Sequence, residues 1–382
     1  MKASPKKSKN DAGLIIWTFR RTGGTNLTSA ILKSLDGKTT EHEPFNTDRI
    51  FGHITAKWKE TGDVDQLTSA LHEIFSQKIS IKHCLEIIPM EMNSIILQVA
   101  VKYDYKHLFL YRENAADRLL SLNYALKTGI WGRKQKELIQ DNEDVFSEPI
   151  NIPKLLKHEI SCRRGMQNIY DNLRSKGGSP IAVSFESLYK SSQQYSRALV
   201  KELFGQITGD TPAHIKPLYQ NLVRHGSQGS NSDYMHFPGA DELVSEADKL
   251  TPFQLRQKVD FTLTMADDEN KVIHSEFWDV LSGTQEDKFY LHGVILCDTE
   301  EHPKIKVEQS ERSVFVKTGL ASRRIEKMHP DVGSASHCRF FLGPITSREE
   351  VLIYIQSAPN KSPSLARLKL SRKPAIQNKT NI

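Results

Sequence analysis

The chain has 382 residues, of which 38% are hydrophobic and 26% are charged, which predicts a soluble globular protein with two domains plus tails. Its net charge of +6 is carried by ten basic residues at the two ends, in 1–10 and 361–382, and their removal leaves −4 for the remaining chain. Nucleic-acid-binding domains concentrate basic residues on a folded face, so the charge argues against nucleic-acid binding.

The first 200 residues alternate between apolar runs and helix-like periodicity. Residues 13–19 predict a buried strand, and the residues after Gly24 place apolar side chains on one helix face. Further strands are predicted in three short runs and are separated by helices: Lys78–Cys84, His107–Tyr111 and Pro180–Phe185. Strands separated by helices indicate an α/β fold, with a parallel sheet covered by helices on both faces.

The amino-acid composition changes near His225, where a Ser-, Gly- and Asn-rich stretch predicts a loop. Beyond about Asp260 five short runs alternate apolar and polar residues and predict a small β-sandwich: KFYLHGVILC, KIKVEQ, SVFVKTG, CRFFLGPI and EVLIYIQS. We therefore expect a first domain over 12–255, a β-rich accessory domain over 256–358, and disordered basic tails at 1–11 and 359–382.

The four cysteines are far apart and form no Cys-x-x-Cys pair, which predicts neither a zinc site nor a disulfide framework and fits a reducing compartment. No stretch approaches the ~18 consecutive apolar residues of a membrane span, and no signal-peptide pattern is evident. We expect a cytoplasmic protein with no integral membrane segment.

The stretch TFRRTGGTNL, Thr18 to Leu27, joins the first strand to the first helix. Glycines let backbone amides approach a ligand, and a helix N-terminus favours an anion there. Thr22 and Thr25 add hydroxyl donors, and Arg21 adds a guanidinium suited to phosphate or sulfate. The loop lacks the spacing and the lysine of G-x-x-x-x-G-K-[ST], which disfavours a triphosphate site and a P-loop kinase. The alternative is a plain strand-to-helix turn with an exposed arginine.

A second stretch, YRENAADRLLSL, begins at Tyr111. Arg112 ends a predicted strand, at the edge where parallel sheets bind ligands, and Ser121 follows inside the next helix. Alone, this pair is equally explained by a surface arginine beside a helix serine.

Four stretches in the same order resemble bacterial carbohydrate sulfotransferases, the group that includes trehalose and nodulation-factor sulfotransferases. RRTGGTNL resembles their 5′-phosphosulfate loop, EHEPFN their EPFN stretch, YRENAADRLLSLNYALKTGIW their 3′-phosphate motif, and VSFESLY their YEDLY strand end. The resemblance spans about Leu14 to Gly205. It departs at Arg20, where the family often has Pro, at Gly24, where it has Ser or Thr, and at Phe185, where it has Tyr.

The resemblance implies the sulfotransferase fold, with 3′-phosphoadenylyl sulfate as co-substrate and a hydroxyl of a carbohydrate or glycolipid as acceptor. It implies no metal, because the 5′ end of this donor carries less charge than a triphosphate. Glu43 would be the general base, and Arg112 and Ser121 would hold the 3′-phosphate. The 5′-phosphosulfate would be bound by the loop residues Arg21, Thr22, Gly23, Gly24, Thr25 and Asn26.

Several alternatives stay open. His42 and His53 compete with Glu43 as the base, because histidine titrates near neutral pH. Glu43 could instead be a loop carboxylate paired with a nearby Lys or Arg. Tyr124 and Trp131 could line an acceptor pocket, but aromatic residues at helical spacing more often belong to a core.

A second function class is a non-catalytic glycan-binding or scaffold protein on a degenerate sulfotransferase fold. Gly24 and the added β-rich domain favour it, whereas Arg112, Ser121 and Glu43 count against it. The stretch LASRRIEKMHPDVGSASHCRFFLG resembles part of the β-rich modules appended to bacterial glycan-modifying enzymes. It implies either binding of an acceptor or partner, or a stabilising accessory domain.

Overall fold

The computed structural model describes most of the chain; the predicted tail 1–11 and the part 372–382 of the predicted tail 359–382 lie outside the described residues. The described ranges are 12–32, 39–131, 146–209, 219–220, 222, 233–250, 252–255, 260–267, 269–279, 288–310, 312–346 and 349–371. The chain forms two compact units: Met1–Ile181 with Phe204–Phe253, and Ala182–Leu203 with Gln254–Ile382. The predicted first domain, 12–255, therefore includes a stretch that belongs to the second unit.

A five-stranded parallel sheet lies at the centre of the α/β part, as predicted. Its strands are β1 (Leu14–Thr18), β2 (Thr40–His42), β3 (Ser80–Cys84), β4 (Lys106–Tyr111) and β5 (Ile181–Ser184), in the order β2-β3-β1-β4-β5. The central strand β1 is fully buried and pairs with both β3 and β4, where Trp17 lies opposite His83 and Phe109. The carboxyl end of β1 therefore opens between the ends of two neighbouring strands.

Helices flank this sheet, and local sequence signals set several of their ends. Asp63 and Asn151 cap two helices by accepting the N–H groups of Gln66 and Lys154, and Gly129 ends a third in the left-handed conformation. The helices are α1 (Gly24–Leu32), α2 (Gly52–Thr61), α3 (Val64–Ser76), α4 (Met90–Lys102), α5 (Ala116–Thr128), α6 (Ile152–Ser175), α7 (Gln193–Thr208) and α8 (Ala240–Asp248). No helix among the described residues is long and apolar enough to span a bilayer.

The second unit contains two antiparallel sheets. Their strands are β6 (Asp260–Met265), β7 (Val272–Asp279), β8 (Lys288–Cys297), β9 (Lys304–Gln309), β10 (Arg312–Val314), β11 (Val316–Leu320), β12 (Arg339–Thr346), β13 (Val351–Gln356) and β14 (Ser364–Ser371). One sheet has the order β10-β9-β13-β14-β6 and the other β11-β12-β8-β7, with a short helix, α9 (Arg323–Met328), before β12. Their inner faces share one apolar core, as a β-sandwich requires.

The predicted disordered tail from 359 is wrong over β14. This strand pairs with β13 on one side and with β6 on the other. Ala366, Leu368 and Leu370 are buried, while Arg367 and Lys369 between them are exposed. The basic residues gave the segment the composition of a tail, but their strict alternation with apolar residues is that of a half-buried strand.

Candidate functional site

The loop after β1 is a tight turn with two left-handed residues. Arg21 has φ 67° and Gly23 has φ 78°, and the Gly23 carbonyl accepts the N–H groups of Asn26 and Leu27 at 3.1 and 3.2 Å to start α1. A positive φ is unusual for arginine and marks a turn that its surroundings constrain.

The side chains of this loop point in different directions. The buried Thr22 hydroxyl donates to the Phe19 carbonyl at 2.7 Å and contacts the Thr18 hydroxyl. Thr22 therefore stabilises the turn from inside. The sequence predicted that its hydroxyl would contact the ligand, whereas in the structure this hydroxyl is buried within the turn. Thr25 is exposed and Asn26 is half-buried in the first turn of α1.

A buried ionic network forms hydrogen bonds to the backbone of the loop after β1. Glu86 accepts the Arg20 N–H at 2.7 Å, and the Arg118 guanidinium donates to the Arg20 carbonyl at 3.3 Å. Arg118 is fully buried and donates through Nε to Glu159 at 2.8 Å, while Arg163 Nε bonds the other Glu159 oxygen at 2.6 Å. Burial alone would raise the pKa of Glu159, but the two guanidinium groups bring it below its usual value. The carboxylate is therefore ionised.

The sequence prediction missed Arg118 and Glu159. A signal was available, since Arg118 shares a helix face with the buried Leu122 and Ala125, and a charge on such a face needs a partner.

The loop after β1 and the stretch that begins at Tyr111 are in direct contact. Arg21 Nε donates to Ser121 Oγ at 2.8 Å, and another nitrogen of Arg21 donates to the Trp131 carbonyl at 2.9 Å. Ser121 in turn donates to the Tyr234 hydroxyl at 3.1 Å, and Tyr234 packs edge-to-face on Tyr124. Tyr124 is buried core as predicted, whereas Trp131 is 40% exposed. Sequence reasoning did not identify Tyr234, which lies more than 100 residues after Ser121.

Arg112 directly follows β4 and is half-buried. Because β4 lies beside β1 in the parallel sheet, Arg112 and the loop leave the same edge of the sheet. The structure thus brings Arg21 and Ser121 into contact and puts Arg112 on the neighbouring strand end.

The three candidate bases have different surroundings. Glu43 follows β2 with φ 53°, forms an ion pair with Lys82, and accepts a hydrogen bond from Cys84 Sγ at 3.3 Å. Burial alone would raise the pKa of Glu43, but Lys82 and the Cys84 hydrogen bond lower it below its usual value. Burial, and then Lys82, lower the pKa of His42, while His53 is exposed on α2.

Lys82 was not predicted as a site residue. It lies on β3, opposite Ile16 of β1, and only 5% of its surface is exposed. A lysine inside a central apolar strand was the signal in the sequence, because lysine is seldom buried unless it is paired.

Glu86, His158 and Cys162 also come together, with one potential ligand atom from each within 4.8 Å of the others. These residue types bind zinc. Glu86 already accepts the Arg20 backbone and lies 4.0 Å from the Arg118 guanidinium, which supplies positive charge at this point. The expectation of a metal-free site stays a prediction.

Comparisons with known proteins do not identify the fold or the function of this chain. No family model and no curated protein matches the chain. Among solved structures, a chain described with the PezAT chromosomal toxin-antitoxin system of Streptococcus pneumoniae is similar over 64% of this chain and 91% of its own length. The identity is 10% and the TM-score is 0.30, a similarity too low to carry an argument about fold or function.

Proposed function

We propose that this protein is a sulfotransferase that moves a sulfuryl group from 3′-phosphoadenylyl sulfate to a hydroxyl of a carbohydrate or glycolipid. The observation that carries the proposal is the 2.8 Å hydrogen bond between Arg21 and Ser121. It joins the loop assigned to the 5′ end of the donor with the helix assigned to its 3′-phosphate. The 3′ and 5′ oxygens of one ribose are a few bonds apart, so a single nucleotide needs its two anion sites this close.

The proposed roles follow from the surroundings of each group. Arg21 and the amides at Gly23, Gly24 and Thr25 bind the 5′ end, where a helix N-terminus stabilises an anion. Arg112 and Ser121 bind the 3′-phosphate. Glu43 takes the proton of the acceptor hydroxyl, a role worth about 10²–10⁴ in rate for a well-placed base.

One observation favours the scaffold alternative. Glu43 is paired with Lys82, which lowers the pKa of the carboxyl group and makes it a weaker base in this state. A non-catalytic protein would keep this ion pair closed when a nucleotide binds.

Thermal unfolding with added nucleotides tests the proposal. Adenosine 3′,5′-bisphosphate should raise the Tm by a few degrees, and ATP with Mg²⁺ should do much less. Arg112→Ala should lose most of this shift. Arg164→Ala, which removes an exposed arginine from α6, should keep it.

The outcomes separate the classes. If the bisphosphate does not raise the Tm of the wild-type protein, the proposed donor site is wrong and the scaffold function is favoured. An equal or larger shift with ATP and Mg²⁺ would point to a nucleoside triphosphate enzyme instead. Where the shift is present, labelled donor incubated with candidate glycans identifies the acceptor.

A further inference from the structure

The proposed donor loop lacks the lysine of a triphosphate loop, but a lysine from the neighbouring strand reaches the same place. A Cβ built on Gly24, the first residue of α1, would lie 3.2 Å from Lys82 Cε and 3.1 Å from Thr18 Cγ2. The Lys82 ammonium is one bond beyond Cε. It therefore lies beside the helix N-terminus to which the 5′ end of the donor is assigned.

Gly24 is where the chain departs from the family pattern, which has a hydroxyl residue there. A side chain at this position would crowd the Lys82 stem, so glycine leaves the space that the lysine occupies. Glycine at this position therefore removes a hydroxyl donor and at the same time leaves room for the Lys82 side chain.

Lys82 is charged in this buried place. Burial alone would lower the pKa of Lys82, but Cys84 and the Glu43 carboxylate raise it above its usual value. The Glu43 side chain is 22% exposed and that of Lys82 is 6% exposed, so the carboxylate faces solvent more than the ammonium does. A buried ammonium with an exchangeable carboxylate partner can pair with an incoming anion instead.

We propose that Lys82 completes the donor site, and that its ammonium exchanges Glu43 for the 5′-phosphosulfate of the bound donor, whose 5′-phosphate adenosine 3′,5′-bisphosphate shares. This inference rests on the proposed function. The exchange releases the Glu43 carboxylate for the acceptor hydroxyl, so that donor binding prepares the base. The acceptor oxygen then bonds to sulfur, the bond from sulfur to the 5′-phosphate oxygen breaks with its electron pair going to that oxygen, and the acceptor proton goes to Glu43.

Two nucleotides and two variants test the exchange by titration calorimetry. Lys82→Met should weaken binding of adenosine 3′,5′-bisphosphate by about 10- to 100-fold, since it removes a charged hydrogen-bond donor from the 5′ end. Binding of adenosine 3′-monophosphate, which has no phosphate at that end, should change little. Glu43→Gln removes the competitor for the ammonium and should tighten binding of the bisphosphate by about fivefold.

Lys106→Met is the matched control. Lys106 is the first residue of β4, at the other end of the sheet, and its ammonium bonds the carbonyls of Gln206 and Ile207 at 3.0 and 2.8 Å. This variant should bind both nucleotides as the wild-type protein does.

The results distinguish this inference from the proposed function. If the wild-type protein does not bind the bisphosphate, the proposed function is wrong. If it binds and Lys82→Met binds equally well, or loses both nucleotides to the same degree, Lys82 is only structural. Unchanged or weaker binding in Glu43→Gln would overturn the exchange.

Discussion

The two units bury polar groups in different ways. In the first unit, Arg118, Glu159 and Lys82 are nearly inaccessible to solvent, and Arg118 and Lys82 bond Arg20 and Glu43, which follow β1 and β2 at the carboxyl edge of the sheet. In the second unit the core between the sheets is apolar, and a buried amide, Asn270, ties turns together through Ser357 and Ser364.

The second unit also buries Glu276 and Arg339, but these residues alternate along β7 and β12 with Phe277 and Phe340, whose side chains belong to the apolar core. The core between the two sheets therefore forms without buried charge. Removing two charges from water is expensive, and a core of apolar side chains is often as stable or more so. The first unit carries this cost beneath one loop, where Arg118 and Glu86 hold the two backbone groups of Arg20. We infer that this loop has a function that requires a fixed backbone.

The largest expected effect comes from breaking the buried network. Arg118→Met should lower the free energy of unfolding by about 3–5 kcal/mol, because Glu159 loses its buried partner. Urea unfolding followed by circular dichroism measures this loss. Arg367 on β14 forms an exposed ion pair with Glu350. Arg367→Met breaks this pair and should lower the free energy of unfolding by no more than about 1 kcal/mol. Equal losses in the two variants would remove the contrast between the units.

The second unit should instead be sensitive to volume. A Cβ on Gly293 in β8 would lie 2.2 Å from the ring of the fully buried Phe340. Gly293→Ala should therefore cost about 1–3 kcal/mol by overpacking. In the double variant with Phe340→Leu, the two losses should not add, because the smaller side chain makes room. Additive losses in urea unfolding would show that the two positions do not compete for space.

The buried histidines of the first unit should make its stability depend on pH. Burial lowers the pKa of His83 to about 4 and that of His107 to about 3, so both are neutral in the folded protein. The unfolded chain binds these protons below pH 6.5, so stability falls as the pH drops from 6.5 towards 4. Each histidine should contribute about 1.4 kcal/mol per pH unit to that fall.

His107→Asn isolates one of the two contributions. Asparagine can still accept the Trp17 indole N–H, which bonds His107 Nδ1 at 3.0 Å, but it does not titrate. The slope of unfolding free energy against pH between 4.5 and 6.5 should therefore decrease by one histidine's share. An unchanged slope would mean that His107 is not a neutral buried group.

The sequence predicted several strands and helices from apolar runs with clear boundaries, but it did not predict α2, α3, α8, β6 or β7. The apolar run of β1 and the terminal Gly129 of α5 are examples, and both were confirmed. The short edge strand β2 and the basic strand β14 were missed, because one is three half-buried residues and the other has the composition of a tail.

The site was predictable only in part. The loop and the Arg112–Ser121 pair are local motifs, and the contact of Arg21 with Ser121 follows from where parallel strands end. Lys82 and Tyr234 reach the same region from distant segments, so their positions beside the loop depend on tertiary packing. The lysine within β3 was a local signal of a buried, paired charge, but not of its partner.

The most direct test of the donor site is a pair of calorimetric titrations of the wild-type protein with adenosine 3′,5′-bisphosphate and adenosine 5′-monophosphate. The two nucleotides differ only in the 3′-phosphate that we assign to Arg112 and Ser121. We predict 1:1 binding of the bisphosphate, at least about tenfold tighter than that of the monophosphate. Equal affinities, or no binding of the bisphosphate, would contradict the assignment of this edge of the sheet as a site for a 3′-phosphorylated donor.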